Sequence, residues 1–556
     1  MEHDVPTEAD RRIIRISSEA TTLAELIREG ATRHGEREFL IAEDRRLSYR
    51  EVERESARLA LGMLASGIGK GTRVGLLMPN GPDWVLSWLA ASRIGALVIP
   101  LSTFSQTREL HWLLRHADID TLFCADAFLN HDYLARLEEI APGLRAQTGD
   151  PIRVPELPYL RSVRVWGDDS RSWTRAARAS LHEAADAVGE LDDAYLAAVE
   201  ASVSPADLAV IIYTSGSTAD PKGACHSQGT LVRHSRVVAE FLGGGVEDRL
   251  YSPPPFFWVG GFHRILYAMQ IGAAMAFLDA FEPGSALELI KRERASILML
   301  WPHQAKLLLE HPDYRPQDFD FLLSAPYAML TEERRPETPD RVANSIGMTE
   351  SCSYHTIEAT GASLPEEKRG ACGRPLPGME RQIRNPDTGE RLAPGELGEL
   401  CVRGFNLMQG LYKREREEVF SADGFYRTGD RGRIDGDDFY FFEGRLGDMI
   451  KTGGANVSPR EVEIVLATME GVEQAHVVGV PDPEMGQIVV AGIVPLSPSA
   501  PPDLEELRER LRKELSAFKV PRYLLILAPE ELPFTDTGKL HPGRLRDLLG
   551  GRVARA

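Results

Sequence analysis

Eleven consecutive residues, Tyr213-Thr-Ser-Gly-Ser-Thr-Ala-Asp-Pro-Lys-Gly223, have the composition of an oxyanion cradle. Thr214, Ser215, Ser217 and Thr218 bring hydroxyl donors, Gly216 and Gly223 let backbone N–H groups come close, and Lys222 adds a positive charge. The stretch follows the apolar run Leu208-Ala-Val-Ile-Ile212, whose β-branched content and Ser/Pro/Asp borders predict a buried strand. It is not the ordinary phosphate loop, which needs Gly-Lys-Ser/Thr after a four-residue gap. Here Pro221 precedes Lys222 and Gly223 follows it. Taken alone, a Ser/Gly-rich surface turn is the plain alternative.

The stretch resembles the signature of the adenylate-forming superfamily, which contains acyl-CoA synthetases, nonribosomal adenylation domains and luciferases. The family form is close to Tyr-Thr-Ser-Gly-Thr-Thr-Gly-x-Pro-Lys-Gly, and Ala219 takes the place of its second glycine. An alanine held at positive φ there would be strained by roughly 1–2 kcal/mol. Further blocks follow in family order: Asn344-Ser-Ile-Gly-Met-Thr-Glu350, Tyr426-Arg-Thr-Gly-Asp430, Gly444-Arg-Leu-Gly-Asp-Met-Ile-Lys-Thr-Gly-Gly454 and Pro533-Phe-Thr-Asp-Thr-Gly-Lys539.

The resemblance implies two steps: a carboxylate attacks the α-phosphorus of ATP and pyrophosphate leaves, then the acyl group passes to a thiol. Both first reactants are anions, so catalysis is mostly charge neutralisation and in-line positioning. The implied roles are these. Thr214, Ser215, Gly216, Ser217, Thr218 and Lys222 cradle the phosphates, Glu350 with Thr218 holds Mg2+, and Thr349 reaches the α-phosphate. Ile346 and Gly347 meet the adenine; Ile346 replaces the family's aromatic, keeping apolar contact without stacking. Asp430 accepts from the ribose hydroxyls, Arg445 helps hold the ribose or phosphate end, and Lys539 bridges acyl carboxylate and nucleotide. Gly453 and Gly454 would line a pantetheine tunnel for CoA once the small domain swings about a hinge. Gly447 stands where the family's hinge usually has Asp or Lys.

Members of the family that take amino acids carry an aspartate early in the pocket helix. The matching stretch, Pro255-Phe-Phe-Trp-Val-Gly-Gly-Phe262, has no acidic residue, and an unpaired buried ammonium costs several kcal/mol. The expected substrate is a plain carboxylic acid with an apolar body: fatty, aryl or bulky alicyclic. Phe256, Phe257, Trp258 and Phe262 would wall it, with core packing the equal alternative, and Gly260, Gly261 and Ala325 would leave room. CoA is the expected acceptor. The rivals are an enzyme serving a carrier protein or an amine, a luciferase-like oxidation, and a noncatalytic nucleotide-binding regulator.

These groups need a scaffold of α/β type, and 556 residues are too many for one core. Val74–Met78, residues 82–94 and Ala96–Leu101 read as strand, helix and strand, a βαβ unit that Thr121–Cys124 continues. Ser48-Tyr-Arg-Glu51 is a capping box opening another helix. Residues 147–202 read as a polar surface excursion. Met275–Leu278, Ile297–Leu300 and Phe319–Leu323 are strand candidates, alternating with helices near 285–294 and 303–310. Turn-split short runs from 373 to 442 predict a β-rich lobe. Beyond it come a second capping box at Ser458-Pro-Arg-Glu461, strands at 474–480 and 487–494, a helix at 503–515 and a strand at 523–527. The expected architecture is a large N-terminal domain, 1–445, of two doubly wound α/β subdomains plus a β-rich lobe. A small mobile C-terminal α/β domain, 446–556, completes it.

A net charge of −19 argues against nucleic acid or an anionic membrane as partner. The five cysteines lack metal-type pairing and suggest reduced, cytoplasmic thiols. No signal peptide or membrane span is expected, and a homodimer is left open.

Overall fold

The computed structural model describes residues 16–168, 171–189, 192–214, 221–335, 341–359, 362–446, 449–533 and 540–555. Two compact units emerge: Met1–Thr103, Leu114–Ile212 and Gly223–Gly444 form one, and Phe104–Leu113, Tyr213–Lys222 and Arg445–Ala556 the other.

The large unit is built on two α/β sheets and an antiparallel lobe. In the eight-stranded sheet, Leu208–Thr214, Leu97–Pro100, Arg73–Leu77, Thr121–Ala125 and Ser162–Trp166 lie side by side. Their pairings are parallel. Apart from Ser162–Trp166, these strands are largely apolar on both faces, as a sheet covered by helices on either side requires. The helix Pro82–Arg93 supplies one cover and buries Trp84, Trp88 and Leu89. A five-stranded sheet runs in the order Ile297–Leu298, Arg249–Tyr251, Ala274–Ala276, Glu38–Ile41 and Arg46–Ser48. Met379–Arg384, Gly398–Gly404, Tyr426–Ile434 and Tyr440–Arg445 make the four-stranded lobe. Ser48 caps Tyr49–Ala65 in a full capping box, as its spacing predicts.

Two segments depart from the sequence expectations. The polar stretch after residue 147 is not only a surface excursion, because Ser162–Trp166 joins the main sheet and helices follow at Ala177–Ala187 and Asp193–Ala201. The strand buries Arg164, whose Nη1 donates to Ser180 Oγ at 2.6 Å. That arginine made an interior strand look exposed. The expected strand 319–323 does not form; Pro316–Phe319 is a 3-10 turn and only Ser324 bridges to Ile297. Phe319 is drawn instead into an apolar cluster beside Tyr314, with ring centroids 5.2 Å apart.

In the small unit, Gly486–Pro495 forms a hairpin with Val472–Asp482 and also pairs with both Tyr523–Ile526 and Ile450–Thr452, the latter continuing into Ala455–Val457. Asp503 caps Leu504–Glu514. Ser458 precedes Pro459–Ala467 but its hydroxyl bonds to nothing among the described residues, so the second capping box fails. Glu461 instead accepts from the buried Lys519 ammonium at 2.8 Å. All five cysteines are buried and unbridged. Among the described residues no helix is long and apolar enough to cross a membrane.

Candidate active site

The Thr349–Ser351 turn joins the strands Ile346–Met348 and Ser353–Thr356 in a tight hairpin. Gly347 sits opposite Tyr354, so close that a Cβ would lie 2.1 Å from the Ser353 carbonyl oxygen. Only glycine fits there. Cys352 and Ser353 follow the turn with φ of 61° and 140°, values that side chains resist. The turn that carries Thr349 and Glu350 is thus held in an uncommon backbone shape by its surroundings.

One of those surroundings is His226, on the strand Lys222–Ser227. Its Nε2–H donates to the Thr349 carbonyl at 2.8 Å, which fixes the tautomer. Burial pushes its pKa down to about 4, so the ring is neutral at pH 7. Two more ties reach Glu350: its carbonyl accepts from Met408 N at 2.8 Å, and its Oε1 accepts from the Tyr426 hydroxyl at 3.2 Å.

Tyr426 begins the strand Tyr426–Ile434, in which Asp430 is buried at 2% exposure. A single phenol therefore links the turn bearing Glu350 to the strand bearing Asp430. Ile346, Tyr354 and Tyr426 all pack against one apolar cluster beneath. The Glu350 carboxylate makes no ion pair among the described residues, leaving hard oxygen donors for a cation. No cluster of three metal-ligating side chains occurs among the described residues.

Thr214 ends its strand and Lys222 begins the next, both half-buried. Lys222 makes no ion pair among the described residues. Ser215, Gly216, Ser217, Thr218 and Ala219 between them lie outside the described residues, as do Gly447 and Lys539. Arg445 closes the strand Tyr440–Arg445, and its side chain is likewise outside the description. In the small unit Gly453 and Gly454 form the turn between Ile450–Thr452 and Ala455–Val457, at φ 54° and 87°.

The expected acyl wall divides. Phe256 stacks edge-on against Trp84 at 5.3 Å, and Phe262 against Trp88 at 5.0 Å, both inside the main core. Those two are core residues because neighbouring tryptophans occupy their faces. Gly261 makes no room either: a Cβ there would meet the Pro255 carbonyl oxygen at 2.2 Å. Phe257 is buried, whereas Trp258 is half-exposed and leans on Trp301 at 5.4 Å. Gly260, by contrast, faces open space: a Cβ there would have nothing within 4 Å. Ala325 packs at the margin of the cluster around Leu298 and Leu322. One further polar group emerges on this helix, Val259–Ile271: Arg264, tied to the hairpin through Tyr354. Nothing in the sequence sets it apart, since the same helix also carries His263 and Gln270.

The comparisons with known proteins agree on the family. A model described as AMP-binding enzyme matches residues 27–412, and one described as AMP-binding enzyme C-terminal domain matches 461–539. The mitochondrial medium-chain acyl-CoA ligase ACSF2 of Mus musculus is 30% identical over 546 residues, covering 95% of this chain and 87% of that protein. Among solved structures, the o-succinylbenzoate CoA synthetase of Bacillus subtilis superposes with a TM-score of 0.73 at 25% identity. That match covers 94% of this chain and 98% of the other. The amide bond synthetase McbA of Marinactinospora thermotolerans gives 0.76 at 26% identity, covering 95% and 99%.

Proposed function

Because the chain belongs to the AMP-binding enzyme family, in the acyl-CoA synthetase branch of the adenylate-forming superfamily, we propose that it joins a carboxylic acid to CoA. It is an AMP-forming ligase that activates the acid through an acyl adenylate; the thioester product, the residue roles and the acid are our reading. The observation that carries this reading is the Tyr426–Glu350 hydrogen bond, which ties a cation-ready carboxylate to the strand holding the buried Asp430.

In the first step an acid oxygen attacks the α-phosphorus, the bond to the bridging oxygen breaks, and pyrophosphate leaves. Thr214 and Lys222 flank the phosphate loop and Thr349 faces the α-phosphate, while Asp430 anchors the ribose. Lys539 neutralises the acid and the nucleotide as they meet. Mg2+, held by Glu350 and the phosphates, would supply charge neutralisation on the leaving pyrophosphate. In the second step a CoA thiolate attacks the acyl carbon and AMP departs, with Gly453 and Gly454 along the pantetheine path and Gly447 as hinge. We place the boundary of the mobile domain at 445/446 and the enzyme in the cytoplasm.

Lys539→Ala should slow pyrophosphate release by about 100- to 1,000-fold, the usual effect of losing one preorganised cation or donor. It should still convert a supplied acyl adenylate to thioester. Equal loss of both half-reactions would remove the two-pose assignment. The amide-forming relative supports one alternative, an amine acceptor; AMP release with CoA against amines separates the two.

A further inference from the structure

Arg264 is held in an unusual way. Its Nη2 donates to the Tyr354 hydroxyl at 2.7 Å, and its guanidinium carbon lies 5.5 Å from the centre of that ring. Its Nε and Nη1 are shielded from solvent and have no hydrogen-bond partner among the described residues. No carboxylate pairs with it among the described residues. Other arginines drawn into the fold do have one: Arg93 has Glu53 and Glu200, Arg374 has Glu358, and Arg381 has Asp438. A guanidinium cannot shed its proton, so a charge with two of its nitrogens shielded from water and no counter-ion is costly.

The surroundings say where a counter-ion would come from. Arg264 is one turn beyond Gly260, on the same face of the helix. That face is open, since a Cβ at Gly260 would meet nothing within 4 Å. Long helical side chains lean back toward the N-terminus, which carries the guanidinium over the turn that Gly260 leaves clear. The facing wall is Tyr354, backbone partner of Gly347 in the hairpin that ends in Thr349 and Glu350. Both Arg264 and Tyr354 keep part of their surface exposed. Burial raises the Tyr354 pKa, but the Arg264 charge and hydrogen bond, with a further hydrogen bond to Ser345, outweigh it and bring the phenol below its ordinary value.

We propose that Arg264 and Tyr354 receive a second carboxylate at the far end of the acid's apolar body, so that the preferred substrates are dicarboxylic acids. This rests on the acid-activating reading above and narrows its substrate. A carboxylate supplies the missing negative charge and two acceptor oxygens for the unused donors.

The test is pyrophosphate release with ATP and Mg2+ from matched acids: hexanoate against adipate, and cyclohexanecarboxylate against trans-cyclohexane-1,4-dicarboxylate. Wild type should prefer each diacid by about 10-fold or more in kcat/KM, and Arg264→Met should cut the diacid-to-monoacid ratio by about 100-fold, chiefly through KM. Arg264→Lys and Tyr354→Phe should fall between. Tyr354→Phe keeps the ring packing and carries the test if the methionine variant folds poorly. An arginine with a merely structural role would lower both acids together, which overturns the proposal. A wild-type preference for the monoacid in both pairs overturns the distal carboxylate and leaves acid activation standing. No pyrophosphate from any acid overturns both.

Discussion

Two helices of the large unit each carry an arginine into apolar surroundings, with opposite outcomes. At the end of Pro82–Arg93, Arg93 is 1% exposed and every nitrogen is answered. Its Nε donates to Glu200 at 2.5 Å, Nη1 to the Glu53 carbonyl at 2.8 Å and Ser56 at 2.9 Å, and Nη2 to the Glu53 carboxylate at 2.8 Å. On Val259–Ile271, Arg264 has one phenol and two idle nitrogens. The first is a closed ionic lock between helices. The second is an unfinished arrangement beside an opening, the form expected where a small molecule completes the charge balance. Burial of an arginine therefore does not distinguish scaffold from site; the completeness of its partners does.

The contrast makes quantitative claims. Arg93→Met should cost about 3 kcal/mol of unfolding free energy, because Glu53 would lose its partner and Glu200 would keep only Arg28. Arg264→Met strands no carboxylate and should cost less than about 1 kcal/mol in the same denaturant titration. Equal losses in the two variants would erase the distinction.

Acid should find the Arg264 side first. His263 and His355 adjoin Arg264 and Tyr354 in the chain, and the His234 ring lies 5.4 Å from that of His263. Burial, then the neighbouring His226 and His355, pushes His234 down to about 3. Burial, then Arg381, brings His355 to about 3; burial, then His234 and Arg264, carries His263 well below its ordinary value. These rings are neutral in the fold and take up protons on unfolding. Their contribution is thus fully present above the unfolded pKa near 6.5 and is lost as pH falls from there toward about 3. Each ring should add about 1.4 kcal/mol per pH unit to the slope of stability below pH 6. His234→Leu should flatten that slope by about one proton; an unchanged slope would mean the ring is already charged in the native state.

The smallest effects lie in the adjacent glycines. Gly261→Ala should destabilise by about 1–3 kcal/mol through collision with the Pro255 carbonyl. Gly260→Ala should be neutral or stabilise by up to about 1 kcal/mol, since helix propensity improves and nothing obstructs it. Thermal unfolding of the pair reads which face of the helix is open.

Much of this was legible in the residues before any coordinates. The βαβ unit, the Ser48 capping box and the hairpin strands of the small unit are local patterns, and local patterns survive folding. Glu350 and Asp430 were named from their motifs, but their connection through Tyr426 depends on how a hairpin and a sheet strand come together. The same limit explains the aromatic wall: Phe256 and Phe262 read identically as tunnel or core until Trp84 and Trp88 are placed against them. Arg164 disguised an interior strand, and Ser458 had the spacing of a cap without the geometry. Arg264 was invisible because what sets it apart is the absence of a carboxylate elsewhere in the fold, which no single stretch records.

The burial of all five cysteines carries a practical consequence if the acyl group passes to a sulfur nucleophile, as proposed above. Burial lifts Cys225 and Cys401 to about 12, so neither is a thiolate under physiological conditions. Oxidised co-substrate therefore meets no exposed, ionised side chain with which to form a mixed disulfide. The chain's own thiols are kept out of reach of any thiol that acts as acceptor.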